Sequence, residues 1–264
     1  MVIDMATMKQ NLVIPEVLGQ FIDVKMMEQI KLTPVAKVYR DLQGVAGDTL
    51  SLPVYAFIGI AEDVAEGADV DLSTLSASKK DIPVKKAGKG VSVTKESLIS
   101  AYGNTEAEIA RQLLMAIAGK VEEDMFTALR GATLTHSGAI DKAGVAQALV
   151  KFGEDINEKM YLYISPASYA QLRSSQDFVE IANGVAIING HVGQFMGCEV
   201  IVSGRVKAEE AFIVKEDALG LVLKEAVECE MDKDIVNQTY TYTAFEHYAC
   251  ALVNESRAIK IAVQ

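Results

Sequence analysis

NTEAEIARQLLMAIAGKVEEDMFTALR, residues 104–130, is the longest uninterrupted helical pattern in the chain, and the fold is read outward from it. Leu114, Ile117, Val121, Met125 and Ala128 recur at spacings of three and four, which stacks them on one helix face. Ile109 and Leu113 widen that stripe. Asn104 or Thr105 supplies an N-terminal cap, and Glu106 and Glu108 place negative charge where the helix dipole favours it. Arg130 and Gly131 close the segment, a cation in the last turn and then a residue that tolerates a left-handed backbone. At 1.5 Å per residue the helix spans roughly 40 Å, long for a compact domain. Glu106, Arg111, Lys120 and Glu123 occupy the other face. The segment reads as a spine on which other layers are laid.

The composition bounds what can surround it. The chain has 264 residues, 50% of them hydrophobic, with no Trp and 6% aromatics, so a sizeable core must rest on Val, Ile, Leu, Ala and Met. That length holds one large domain or two small ones. A formal net charge of −11 repels nucleic-acid phosphates and argues against a nucleic-acid reader. Cys198, Cys229 and Cys250 are odd in number and far apart, with no CxxC, and read as reduced buried thiols. The opening MVIDMATMKQN lacks the apolar core of a secretory signal, and no apolar run approaches membrane-spanning length.

Residues 1–41 start polar and turn helical around Pro15, with Val17, Leu18, Phe21, Ile22 and Val24, then Leu32, Val35, Val38 and Tyr39, as apolar contacts. This segment has no core of its own and must lie across another part of the molecule or a neighbour. Gly47-Asp48 punctuates the chain, and Leu50, Leu52 and Val54 then alternate with Thr49, Ser51 and Pro53 as an edge strand. Residues 61–71 hold five acids and no base, among them Glu62, Asp63, Glu66 and Asp69. Residues 79–89 hold five lysines and one acid, among them Lys79, Lys80, Lys85 and Lys86. The stretch 47–94 reads as a two-legged excursion, acidic going out and basic coming back, too long to bury much of itself. Those eight side chains are the expected inter-subunit contacts, an arm that matches acid to base across a boundary with an adjacent copy. A solvated loop whose two legs pair within one chain is the blander alternative.

After the spine, residues 131–138 read as a loop and residues 143–152 as a helix ended by Gly153. Residues 160–164 read as a strand with Leu162 and Ile164 on one side and Tyr161 and Tyr163 on the other. Ser165-Pro166 starts a helix that runs to about Ser174, and residues 182–197 form a Gly/Asn-rich loop. Strands follow at 199–203, 211–214 and 219–223, so the block 135–224 alternates helix and strand as an α/β lobe. The last block is strand after strand: 226–231, then Tyr240, Tyr242 and Ala244 opposed to Thr239, Thr241 and Thr243, then 249–253 and 258–263. These strands lack helices of their own and are expected to return to the spine and cover its apolar stripe. The fold class is therefore α+β, a body interrupted by a lobe.

Chemistry is hard to find in this pattern. His136, His191 and His247 have no metal-ligand spacing with one another or with cysteine, and no phosphate-binding loop or Gly-x-Ser-x-Gly occurs. Gly190-His191-Val192-Gly193 lacks the preceding strand of a dinucleotide site, which leaves His191 as the one weak candidate base. Asp232 and Asp234 read as a solvated strand face. No catalytic, cofactor-binding or metal-binding set emerges; length goes to a spine, an arm, a charged hairpin and a lobe, which are features of a building block and not of an enzyme.

Several local stretches, in their order, resemble tailed-bacteriophage major capsid proteins of the Hong Kong 97-like fold, in the group typified by phage N4. They are LVIPEVLGQFIDVKM (12–26), GDTLSLPVYAFIGIAEDVAEGADV (47–70), KKAGKGVSVTKESL (85–98), YLYISPASYAQL (161–172) and GHVGQFMGCEVIVSGRV (190–206). The resemblance implies an N-terminal arm over 1–46 and an extended β-hairpin loop over 47–94. It implies a peripheral domain from 95–134 with 225–264, holding the spine helix and an antiparallel sheet, and an inserted α/β axial domain over 135–224. It implies a structural subunit that self-assembles into hexamers and pentamers of an icosahedral shell around the double-stranded DNA genome of a tailed bacteriophage (Caudoviricetes), formed in the bacterial host cytoplasm. Expected partners are other copies of itself, portal and scaffolding proteins and a decoration protein, with packaged DNA met without specific binding and no membrane. An encapsulin-type nanocompartment shell is the alternative with the same fold. Relatives often carry a long cleaved scaffolding segment; here the arm starts almost at Met1, so either scaffolding is a separate protein or the sequence is a mature form.

Overall fold

In the computed structural model the described residues are 26, 29–43, 47–55, 63, 69, 72, 74–75, 77–100, 105–153, 158–174, 194–225 and 227–263. The order begins with strands β1 (Ala36–Tyr39), β2 (Thr49–Tyr55), β3 (Ala77–Pro83) and β4 (Lys85–Thr94), then helices α1 (Lys95–Ser100) and α2 (Thr105–Arg130). Next come β5 (Leu134–Ser137), α3 (Lys142–Leu149), β6 (Met160–Ile164), α4 (Pro166–Ser174), β7 (Gln194–Phe195) and β8 (Cys198–Val202). The chain closes with β9 (Glu210–Lys215), β10 (Leu219–Leu223), β11 (Glu228–Asp234), β12 (Thr239–Leu252) and β13 (Ala258–Ala262).

The spine is α2, one 26-residue helix. Its stripe is buried as the periodicity requires: Ile109, Leu113, Leu114, Ile117, Val121 and Met125 are all inside, while Arg111, Lys120 and Glu123 face solvent. The buried arc is wider than the sequence stripe. It also takes in Phe126 and Leu129, both fully buried, whereas Ala128 is only half-buried. Phe126 meets Tyr163 edge-on at 5.9 Å between ring centroids and Phe212 at 6.0 Å, so one aromatic side chain ties the spine to two strands of the lobe.

Two sheets lie on this helix. The five-stranded sheet has the order β1-β10-β12-β11, with β4 also paired to β12. Because β4 spans Thr239–Tyr248 on β12, β11 and β10 share the other edge of that 14-residue strand. Tyr242, Ala244, Tyr248 and Leu252 of β12 pack with the spine in one core, the cover expected of the terminal strands. The six-stranded sheet runs β5-β13-β9-β6-β8-β7. In β6 the period of two is realised as two cores: Tyr161 and Tyr163 join the spine core, while Met160, Leu162 and Ile164 join a second core with α3. Asp141 caps α3 by accepting from Gly144 N at 2.7 Å, and Ser165 Oγ accepts from Ser168 N at 3.1 Å at the start of α4.

Several expectations are corrected. Leu134–Ser137, read as loop, is a strand pairing in parallel with β13; four residues carry too little pattern, and the partner 125 positions downstream, Leu134 against Ile259, makes the strand. Val38 and Tyr39 are not a loose apolar group, since β1 pairs in parallel with β10. The strand 219–223, grouped by alternation with the lobe, hydrogen-bonds in the body sheet. Conversely, β13 joins the lobe sheet between β5 and β9. Alternation in sequence reports strands, not which sheet takes them. The excursion is also built differently. β2 and β3 form its antiparallel hairpin, and β4 belongs to the body sheet through its full pairing with β12.

Candidate assembly interface

The eight expected contact residues fall into three environments. Glu62 and Glu66 lie outside the described residues, and Asp63 and Asp69 are exposed. Lys79 is exposed on β3, opposite Pro53. The other three lysines already have partners in their own chain. Lys80 pairs with Glu255 at 3.0 Å. Lys85 pairs with Asp124 of the spine at 2.7 Å, and its ammonium lies 5.4 Å from the Tyr248 ring centroid. Lys86 sits 3.9 Å from the Phe245 ring centroid. The basic leg therefore splits: β4 carries Lys85 and Lys86 into the body, and β3 leaves Lys79 outside.

Asp124 is a small hub. Lys85 and Lys120 pair with it at 2.7 and 3.0 Å, and Tyr248 OH donates to it at 2.6 Å. Burial pushes this carboxyl up, but the hydrogen bonds from Lys85, Tyr248 and Lys120 together outweigh it and hold the group below its ordinary value. The Tyr248 hydroxyl moves the other way, raised by burial and then by its bond to Asp124.

A second charged seam joins the spine to the lobe. Arg205 Nε donates to Glu122 at 2.8 Å, and Ser203 Oγ donates to the same carboxylate at 3.4 Å. Eight positions along the helix, Arg130 donates to Glu210 at 2.6 Å and to the Arg205 carbonyl at 3.2 Å. The spine thus offers acid then base, while Arg205 in the β8–β9 connection and Glu210 at the start of β9 offer base then acid. Burial raises the Glu210 carboxyl, yet the bonds from Arg130 and from the Lys207 backbone bring it below the ordinary value. Gly119 leaves room for the guanidinium: a Cβ there would stand 2.5 Å from Arg205 Nη2, and the arginine would have to shift. A glycine inside a long helix was the one sequence signal of this seam; Arg205 and Glu210 themselves lie 83 and 80 residues from their partners.

The face of the body sheet away from the spine is divided. Where the β2–β3 hairpin lies on it, Ile82, Val222 and Ala249 form a small core with Leu50, Leu52 and Val84. The other half has no cover among the described residues. Register places Glu228, Glu230, Asp232 and Asp234 of β11 beside Phe245, Thr243, Thr241 and Thr239 of β12, and these beside Gly88, Gly90, Ser92 and Thr94 of β4. The Phe245 ring lies directly over Gly88, where a Cβ would collide with it. So, among the described residues, a half-sheet of Thr, Ser and Gly positions, interrupted by Phe245 and bordered by one acidic strand, is left uncovered.

Among the described residues no group of His, Cys, Asp and Glu is placed to hold a metal, and no helix is long and apolar enough to cross a membrane. His191 lies outside the described residues. His247 Nδ1 is 3.3 Å from Glu225, and His136 Nε2 is buried without a hydrogen bond. The three cysteines form no disulfide, and burial pushes Cys198 to about 12 and Cys229 and Cys250 to about 11, which makes them poor nucleophiles.

Comparison with known proteins follows the same line. A family model described as phage capsid protein matches residues 77–262. The major capsid protein of Staphylococcus phage phiMR11 is 33% identical over 261 residues, 97% of this chain and 95% of that protein. Among solved structures, one from Mycobacterium phage Che8 superposes with a TM-score of 0.70 at 16% identity, over 85% of this chain and 88% of that one. The cyanophage Pam1 capsid asymmetric unit gives a TM-score of 0.68 at 14% identity, over 87% of this chain and 88% of that one.

Proposed function

This chain belongs to the phage capsid protein family and serves as a major capsid protein, a structural part of the virion, and from that premise we propose how it builds the shell. The observation that carries the reading is the 33% identity that extends over 97% of the chain, so likeness is not confined to one module. Copies associate into hexamers and pentamers of an icosahedral shell with the Hong Kong 97-like architecture, around the double-stranded DNA of a tailed phage. Assembly takes place in the host cytoplasm, with portal and scaffolding proteins and a decoration protein as further partners. The order of the segments 12–26, 47–70, 85–98, 161–172 and 190–206 supports the phage N4-type group.

The division proposed for the assembled subunit is an arm (1–46), an extended loop (47–94), a peripheral domain (95–134 with 225–264) and an axial domain (135–224). It is a division by chain order, across which β10 and β13 exchange sheets. Asp63, Asp69 and Lys79, exposed as they are, suit the inter-subunit role; Glu62 and Glu66 are assigned it with them by charge. Lys80, Lys85 and Lys86 would act there through the face of their residues not spent on Glu255, Asp124 and Phe245. The physics favours the reading: repeated symmetric contacts supply the burial that a hairpin lacks by itself, and a net charge of −11 keeps the lining from adhering to packaged DNA.

Negative-stain micrographs of the expressed protein test it. Shells or isolated capsomers are expected. Protein that stays monomeric or dimeric across salt and concentration, with no shells, overturns the reading. A folded cargo protein enclosed in place of DNA turns it toward the nanocompartment alternative.

A further inference from the structure

We propose that the turn Glu255–Arg257 is a clasp that makes the rigidity of the lobe depend on how the hairpin arm is seated on its own body sheet. The turn stands where one antiparallel ribbon passes from sheet to sheet. β9 pairs with β13 in the lobe sheet, and their continuations β10 and β12 pair in the body sheet. Between them lie two short crossings, residues 216–218 from β9 to β10 and residues 253–257 from β12 to β13. The crossings are bonded side by side: Val253 N and Asn254 N both donate to the Ala218 carbonyl, at 2.9 and 3.1 Å. Strands that change sheets must bend at such a corner. Asp217 takes a left-handed backbone, φ 57°, in the first crossing. Arg257 N closes the second by donating to the Asn254 carbonyl at 3.2 Å.

Neighbouring residues of this corner are held from opposite sides. The arm holds the first half. Val253 packs half-buried against the small core of Ile82, Val222 and Ala249 beneath the hairpin. Lys80 of β3 pairs with Glu255 at 3.0 Å. The lobe holds the second half. Arg257 donates through Nη1 to the Glu216 carbonyl at 2.9 Å and through Nη2 to Glu158 Oε1 at 3.0 Å. The other oxygen of Glu158 lies 3.6 Å from the ammonium of Lys215, whose side chain is 2% exposed. Lys215 ends β9 and is paired with Met160, which opens β6. Arg257 therefore positions a carboxylate that faces a buried cation, where a lost charge match is felt strongly. Glu255 and Arg257 are the two ends of one three-residue turn, so a displacement at one end passes to the other through a contiguous set of bonds. Whatever draws the arm off the body sheet uncovers Val253, frees Glu255 and loosens the lobe at Glu158 and Lys215. The coupling is reciprocal: loosening the lobe end frees the arm.

Amide hydrogen exchange on the free full-length subunit tests this. No shell is needed, so failure here leaves the capsid reading standing. Lys80→Glu sets a carboxylate against Glu255 at a surface position, where a lost pair shifts a local equilibrium only a few-fold. It is expected to speed exchange about threefold in residues 77–83 and at least about twofold in residues 158–160 and 214–218 of the lobe. Arg257→Gln is expected to give the converse, faster lobe amides and with them a faster hairpin. Combined, the two are expected to speed exchange by less than the product of their single effects, because each opens the same clasp. If Arg257→Gln does not fold, Arg257→Lys is read in its place; it keeps a cation toward Glu158 and loses the fork that also reaches the Glu216 carbonyl. A Lys80→Glu effect confined to residues 77–83 and 253–256, with the lobe at its wild-type rate, overturns the inference. So does a position-257 variant whose hairpin exchanges at the wild-type rate, and so do single effects that simply multiply.

Discussion

The spine–lobe seam and the hairpin arm are made of the same materials, apolar side chains flanked by acids and bases, and they end in opposite conditions. On the seam, Glu122 and Glu210 are both buried and each meets an arginine of the same chain. On the arm, Asp63, Asp69, Lys79, Leu72 and Leu75 all stay exposed. The difference is one of cover rather than composition. The seam lies between a 26-residue helix and a six-stranded sheet, which exclude water from both sides. The arm is a two-stranded ribbon with a single small core beneath it, and a two-stranded ribbon has too little face to bury its own side chains. The subunit keeps its rigid charge pairs inside and leaves the side chains of its hairpin arm uncovered.

The comparison can be broken most forcefully at Phe126. Replacing this fully buried ring with alanine is expected to cost about 3–5 kcal/mol in urea unfolding of the free subunit; a loss below about 1 kcal/mol would mean that the seam is not the closed region described. Arg130→Ala comes next. It strands the Glu210 carboxylate, whose side chain is 8% exposed, and is expected to cost about 2–3 kcal/mol, below the full penalty of a sealed pair because Arg130 itself reaches solvent.

Acid should distinguish the regions without mutation. Asp124 and Glu210 are both held below their ordinary values in the folded chain. Their contribution is therefore complete above the unfolded carboxylate range, about pH 4, and is lost as pH falls through the lower folded values. Thermal melts of the free subunit from pH 7 downward should stay level and then drop below about pH 4, and Asp124→Asn should flatten part of that drop. An unchanged acid limb in Asp124→Asn would remove the hub from the account.

The smallest effects on folding belong to the two lysines that the body and the arm divide between them, Lys85 on β4 and Lys79 on β3. Lys85→Glu sets a carboxylate against Asp124 and is expected to cost the free subunit about 1 kcal/mol. Lys79→Glu should change free-subunit stability by no more than about 0.5 kcal/mol while impairing assembly, read by the yield of sedimenting shells. Equal losses of stability and assembly at Lys79 would place its partner within the same chain.

Much of this molecule was legible before any coordinates. The three- and four-residue spacing of Ile109 through Met125 carries the spine, because burial on one helix face demands that period. Tyr161 and Tyr163 against Leu162 and Ile164 carry β6 and even its two cores, because a strand has only two faces. Local order is set by local chemistry, and the sequence alone determined it, together with the resemblance borne by the order of its segments. Tertiary structure decided which strands became neighbours. It moved β10 into the body sheet and β13 into the lobe sheet, made a strand of Leu134–Ser137, and split Lys79 from Lys85 by sending β4 to β12. It also chose Asp124 for Lys85 and Arg205 for Glu122. Pairings across so many residues depend on how rigid layers stack, and no single stretch of chain contains that information.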